Sequence, residues 1–274
     1  MLTTWLLSAS VAISSVSHRG ALNLAPQSLS MPHATTATSP HAGRTVTATI
    51  QRSEGMRTYH VYIPANLSTT RPPGLVVYFH GWQDTCDSLG GSCGSDLCGW
   101  PDEAEKKGTF LFAYPCGLGG LVSKGSWNAG TCCGPSGGHS DGYKGGPDDL
   151  GFVNAMIGDI ASSTGETIDM TRLYAAGFSN GGMLAQVIGC GQFPGAPQTP
   201  FRAMASCAGI VEIEPGEGKG LDACDAAYGQ RPANATGIAV LDIHGDKGVC
   251  VFYYFFYIKC MSKYLIHLIE LLID

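Results

Sequence analysis

The sequence predicts an α/β domain built on a mainly parallel sheet, and three observations predict it. Short apolar runs at Leu75–Phe79, Thr109–Tyr114, Leu173–Ala176 and Ile238–Ile243 have no strict polar alternation, which is the pattern of strands buried on both faces. Helical periodicity lies between them: Asp149 to Ala161 sets Phe152, Met156, Ile157 and Ile160 on one stripe, and Gly182 to Ile188 reads as a second helix. Several runs stop at a Pro or at a His-Gly pair, and in such sheets ligands bind beyond the carboxyl ends of the strands.

The elements follow in order. Leu2 to Val16 is an apolar and small-residue run, short for a membrane span, and residues 1–17 read as a signal peptide without the usual basic start. Residues 18–43 are rich in Ser, Thr, Pro, His and Ala, have no apolar period, and read as a linker. The domain assigned to 44–248 opens with two alternating segments, Thr45–Gln51 and Arg57–Ile63, the second closed by Pro64. Asp148 and Asp149 suit the start of the long helix as cap and dipole partner. Ala203 to Ala208 is a further small apolar run. Residues 249–274 are dense in Phe, Tyr, Ile and Leu and contain no Gly or Pro, unlike the Gly-rich chain before them.

Composition narrows the function classes. The formal charge is −6 with no Lys/Arg cluster, which argues against a nucleic-acid partner because nothing is arranged to neutralise phosphates. Eleven cysteines without matched Cys-x-x-Cys pairs fit disulfides in an oxidising compartment better than metal ligation. The odd total leaves at least one thiol unpaired within the chain, and the connectivity is open. Asn66-Leu67-Ser68 and Asn234-Ala235-Thr236 are glycosylation triplets that agree with export. The expected location is therefore secreted and extracellular. Nothing in the sequence specifies an oligomeric state.

Gly-x-Ser-x-Gly occurs around Ser92, Ser136 and Ser179. The pattern has mechanical meaning only between a strand and a helix, where a sharp turn lifts the serine hydroxyl above the sheet. Ser92 and Ser136 lie in loop-forming sequence; Ser179 alone has an apolar run before it and a helical stretch after it. The helix start beyond Ser179 offers free backbone donors to a developing oxyanion. A second donor is expected in the loop after an early strand, here His80-Gly81-Trp82, which makes the amides of Trp82 and Asn180 the candidates. His80 itself reads as a residue that ties down this loop, and a backbone donor at Trp82 leaves its side chain free to line the substrate pocket. Trp82, Trp100 and Trp127 are also of a kind to stack on sugar or phenolic rings, although a core position is the commoner fate of a Trp.

Several local stretches then agree in order: Tyr59 to Pro64, His80-Gly81, Ala113-Tyr114-Pro115, Ser126-Trp127-Asn128, Cys132-Cys133, Asp148-Asp149-Leu150-Gly151-Phe152-Val153, Ile168-Asp169 and Gly177-Phe178-Ser179-Asn180-Gly181-Gly182-Met183. Together, from Arg44 to Gly245, they resemble the secreted polyhydroxybutyrate depolymerase and feruloyl esterase group of α/β-hydrolases. The resemblance implies a three-layer α/β-hydrolase sandwich and ester hydrolysis through an acyl-enzyme on Ser179. It implies an oxyanion held by the Trp82 and Asn180 amides, a His base oriented by an acidic residue, and no metal or organic cofactor. The substrates implied are feruloyl or acetyl esters of plant polysaccharide, or polyhydroxyalkanoate.

The chain departs from that pattern beyond its last strand. The acidic residue is expected three positions after His244-Gly245, where Gly248 stands; Asp246 comes two residues early, and Asp242 lies inside the strand. The base is expected in a late Gly-His context. The only histidine after Asp246 is His267, on an apolar stretch with no preceding Gly and no turn signal, the setting of a structural histidine. Lys259 and Lys263 interrupt the tail and Glu270 and Asp274 follow, so it makes a poor membrane anchor. The expectation is an incomplete or mis-spliced ending, with the C-terminal part of the fold missing. A chain without the base would be a hydrolase-like domain that binds ester or carbohydrate ligands without turnover, and this is the competing function.

Overall fold

The computed structural model describes residues 35–38, 42–84, 86, 99–118, 125–129, 146–190, 201–209 and 239–243. Eight strands form one sheet: β1 (Thr35–Thr38), β2 (Arg44–Arg52), β3 (Gly55–Ile63), β4 (Gly74–Phe79), β5 (Phe110–Pro115), β6 (Leu173–Phe178), β7 (Phe201–Cys207) and β8 (Ala239–Ile243). Their order across the sheet is β1-β2-β3-β5-β4-β6-β7-β8. The first three strands and the β3–β5 pair are antiparallel, while β5, β4, β6, β7 and β8 run parallel.

Three helices accompany the sheet: α1 (Trp100–Lys107), α2 (Asp149–Thr164) and α3 (Asn180–Gly189). Alternate residues of β4 explain the layering. Leu75, Val77 and Phe79 enter one core with Phe152, Met156 and Ile160 of α2 and Leu184 and Ile188 of α3. Val76 and Tyr78 enter a second core on the other face, with Trp100 and Ala104 of α1. Every residue of β4 and β5 is buried, as expected of strands covered by helices on both sides. The three-layer α/β sandwich on a mainly parallel sheet expected from the sequence is the architecture observed.

Two features differ from the reading of the sequence. Strand pairing begins at Thr35, inside the stretch read as linker, where β1 adds to the edge of β2. Backbone hydrogen bonds to an open edge need no apolar period, so hydropathy carries no sign of them. Helix α1 was not expected either. It has eight residues, of which only Trp100, Pro101 and Ala104 are buried, too short a stripe to show a period. Its ends are nevertheless encoded: Pro101 stands in the first turn, and Gly108 closes the helix at φ 63° with its N–H on Ala104 O. For α2 the expected cap is present, with the Asp148 carboxylate accepting from the Gly151 N–H at 2.8 Å.

Cys86 and Cys116 form a disulfide across 30 residues, joining the loop after β4 to the end of β5, and Cys190 is disulfide-bonded as well. His60 lies close enough to Cys86 and Cys116 for their ligand atoms to fall within 4.8 Å of one another. Those two sulfurs are bonded to each other, so the thiolates a metal would need are not present there. Among the described residues no helix is long and apolar enough to cross a membrane. The signal segment, most of the linker and residues 249–274 lie outside the described residues, as do Ser92, Ser136, Asp246 and His267.

Candidate active site

The strand order places the site before any side chain does. The chain passes from β4 to β5 on one side, then returns to lay β6 against the other side of β4. Neighbouring parallel strands whose connections leave in opposite directions open a crevice at their carboxyl ends. Phe79 pairs with Gly177 there, and the two segments that leave the sheet are His80-Gly81-Trp82 and Ser179-Asn180-Gly181.

Ser179 occupies the one-residue turn between β6 and α3 at φ 52°, ψ −119°, a backbone region that side-chain-bearing residues rarely adopt. Its N–H donates to Cys207 O at 2.8 Å and its carbonyl accepts from Met183 N–H at 2.9 Å, so β7 and the first helical turn hold it. The glycines allow the close passage this turn requires. A Cβ on Gly177 would overlap Gly181 O, and one on Gly181 would overlap Phe79 O and His80 O. The side chain of Ser179 is partly exposed and does not cap α3. The Ser179 side chain therefore leaves the first-turn N–H groups of the helix uncapped, Asn180 among them.

Asn180 is fully buried. Its Oδ1 accepts from Trp127 N–H at 2.7 Å and its Nδ2 donates to Trp127 O at 3.0 Å. The next residue continues the chain of contacts: Asn128 N–H donates to Asp149 Oδ2 at 2.6 Å, and Asp149 Oδ1 accepts from Arg57 Nη2 at 2.6 Å. Burial pushes the Asp149 carboxyl above the ordinary range, and Arg57 and the Asn128 N–H pull it back. This support was not legible in the sequence, although Ser126-Trp127-Asn128 and Asp148-Asp149 stood out as motifs.

On the facing loop, Gly117 N–H donates to His80 Nε2 at 2.9 Å. The ring proton therefore sits on Nδ1, which lies 2.7 Å from Gly81 O and donates to it. Both nitrogens are engaged with main chain, and burial lowers the imidazole's affinity for a second proton. Trp127 Nε1–H donates to His80 O at 2.9 Å, which ties this loop to the segment that holds Asn180. His80 thus fixes the loop that carries Trp82, as the sequence suggested.

Asp242, on β8, accepts from Gln186 Nε2 of α3 at 3.2 Å. Of the eight histidines, His60 and His80 are among the described residues, and neither imidazole is hydrogen-bonded to Ser179.

The chain matches no family model and no curated protein. Among solved structures it is similar to an S-formylglutathione hydrolase from Agrobacterium tumefaciens, with a TM-score of 0.53 and 14% identity over 86% of this chain and 98% of that one. It also aligns with a ferulic acid esterase, with a TM-score of 0.45 and 16% identity over 62% of each chain. An acetyl xylan esterase from Paenibacillus sp. R4 aligns with a TM-score of 0.45 and 12% identity over 68% of this chain and 55% of that one. The chain thus spans less than two thirds of the length of these last two esterases. The hydrolase, covered almost end to end, shows that the fold is shared.

Proposed function

We propose that the protein is a serine-dependent carboxylic ester hydrolase. The observation that supports it most is the strained Ser179 turn, raised between β6 and α3 at the switch point of the sheet. In the proposed reaction the Ser179 Oγ attacks the ester carbonyl carbon and its proton passes to a base. The oxyanion is held by the Trp82 and Asn180 amides. The C–O bond to the alcohol breaks, the alcohol takes the proton, and water releases the acid by the same steps in reverse. The base is a histidine other than His60 and His80, since both are engaged elsewhere. Asp246 is the acidic candidate, and His267 is the one histidine that follows it.

The substrates proposed are esters on extracellular polymers: feruloyl or acetyl groups on plant polysaccharide, or polyhydroxyalkanoate. Export is part of the proposal, and the Cys86–Cys116 disulfide supports it because such bonds persist in oxidising compartments.

Hydrolysis of p-nitrophenyl acetate and methyl ferulate by the wild-type chain, beside Ser179→Ala, tests the reading. Turnover that the substitution abolishes supports it; equal rates in both proteins remove Ser179 from the mechanism. Ester binding without turnover in either protein would instead favour the ligand-binding alternative, which the commitment of both described imidazoles makes worth the control.

A further inference from the structure

Ligand atoms from three separate segments converge beside the loop that follows β4. His60 lies in β3, Cys116 directly follows β5, and Cys86 lies two residues beyond Asp84; one ligand atom of each falls within 4.8 Å of the others. The buried imidazole is held in place from both neighbouring strands, since His60 pairs with Thr47 on β2 and with Tyr114 on β5. Its Nδ1 lies 2.8 Å from Thr47 Oγ1, and its ring stacks on Tyr114 with 4.8 Å between centroids. Its Nε2 faces Cys116 Sγ at 3.7 Å. Main chain fixes Cys116 in turn: its N–H donates to Thr58 O at 3.0 Å, and its carbonyl accepts from Arg57 Nη2 at 3.3 Å. A metal-binding histidine is held in the same way, with one ring nitrogen on an oxygen and the other turned to the ligand set.

We propose that Cys86, Cys116 and His60 form a thiol-gated site for a soft divalent cation of the zinc class. In the oxidised chain the two sulfurs are bonded to each other and the site is closed. A dithiol opens it. Its first thiolate attacks one sulfur of the bridge, its second displaces the remaining protein thiolate, and it leaves as a cyclic disulfide. The protein bridge thus takes up two electrons and becomes two thiolates, and the two protons of the dithiol pass to solvent. The cation then binds both thiolates and the His60 Nε2 lone pair, in the tautomer whose Nδ1–H donates to Thr47 Oγ1. Tetrahedral bonds of about 2.3 Å to sulfur and about 2.0 Å to nitrogen put a sulfur about 3.5 Å from the nitrogen and the two sulfurs about 3.8 Å apart. The His60–Cys116 edge is already close to that length, so what remains is for the sulfurs to part. Cys116 is partly exposed, which gives dithiol and cation a way in. The bound cation replaces the disulfide as the link between the Trp82 loop and β5, and it takes no part in the chemistry proposed at Ser179.

The test uses the full chain, reduced with dithiothreitol, desalted without air and titrated with Co2+. With eleven cysteines in the chain, the quantity that decides is the difference from a Cys86→Ser/Cys116→Ser double variant. The reduced wild type should take up one further equivalent, with thiolate-to-cobalt charge-transfer absorption and the visible bands of tetrahedral cobalt. His60→Gln should bind that equivalent at least about tenfold more weakly. Equal uptake by wild type and double variant overturns the proposal, and so does the same cobalt spectrum before and after reduction. A second measurement needs no variant. Zn2+ should protect Cys86 and Cys116 of the reduced wild type from iodoacetamide, as located by peptide mass; alkylation of both at rates that Zn2+ leaves unchanged overturns the proposal however the variants fold.

Discussion

Asn180 and Trp127 are hydrogen-bonded to each other in both directions, side-chain amide to main-chain N–H and C=O, at 2.7 and 3.0 Å. The amide thereby spans the residue next to Ser179 and a loop 53 positions away. Both groups are buried, so removing one leaves the other without a partner. Asn180→Ala should cost about 2–4 kcal/mol of unfolding free energy, since two buried main-chain groups are orphaned. Asn180→Asp keeps the acceptor but turns the donor into a carboxylate facing Trp127 O, and should cost at least as much. Urea unfolding of the two variants checks this; a loss below about 0.5 kcal/mol in both would show that the clamp is not structural.

The turn at Ser179 stores strain that the fold would lose if the residue were glycine. Ser179→Gly should abolish ester hydrolysis while raising stability by about 1 kcal/mol, the relief of the positive φ less the added chain entropy. Ser179→Ala removes the hydroxyl but keeps the strain, so its stability should stay near that of the wild type. Thermal and urea unfolding of the pair separate these outcomes; equal stability of the Gly and Ala variants would mean that the conformation carries no measurable cost.

Two glycines should respond to the same substitution with opposite signs. Gly181→Ala drives a methyl into the carbonyls of Phe79 and His80, which are backbone atoms of the neighbouring loop and sheet, and should destabilise by more than about 2 kcal/mol. Gly158 lies on the exposed side of α2, and a methyl added there would have nothing within 4 Å, so Gly158→Ala should stabilise by about 1 kcal/mol. Denaturant midpoints for both variants decide the matter.

His80 should make the fold sensitive to acid. Burial lowers its proton affinity in the folded chain, with Asp84 opposing and Arg57 reinforcing the effect. In the unfolded chain the imidazole titrates near its ordinary value of about 6.5. Above that pH both states are neutral and the contribution is complete. As pH falls below it, the unfolded chain takes up a proton that the folded chain refuses, and stability declines until the lowered folded value is reached. His80→Gln should be less stable at pH 7 through loss of the Gly117 contact, yet should lose less on acidification, by up to about 1.4 kcal/mol per pH unit. Urea unfolding at pH 7, 6 and 5 provides the comparison, and parallel pH slopes for the two proteins would refute the assignment.

The local features were legible in the order of residues. The unbroken apolar runs specify β4, β5, β6 and β8 because a strand covered on both faces has no polar positions to alternate. Strand, glycine-flanked serine and helix are contiguous, so Ser179 could be separated from Ser92 and Ser136 without any tertiary contact. The Asp148 cap is equally local, since it reaches only three residues forward. Tertiary structure alone decided what depends on distant partners: that Cys86 pairs with Cys116, that Arg57 meets Asp149 across 92 positions, and that Asn180 turns its side chain to Trp127 while Trp82 faces solvent. Neither periodicity nor residue type records such pairings. They arise when strands from separate parts of the chain are laid side by side, and the sheet order β5-β4-β6 brings the two loops of the candidate site together.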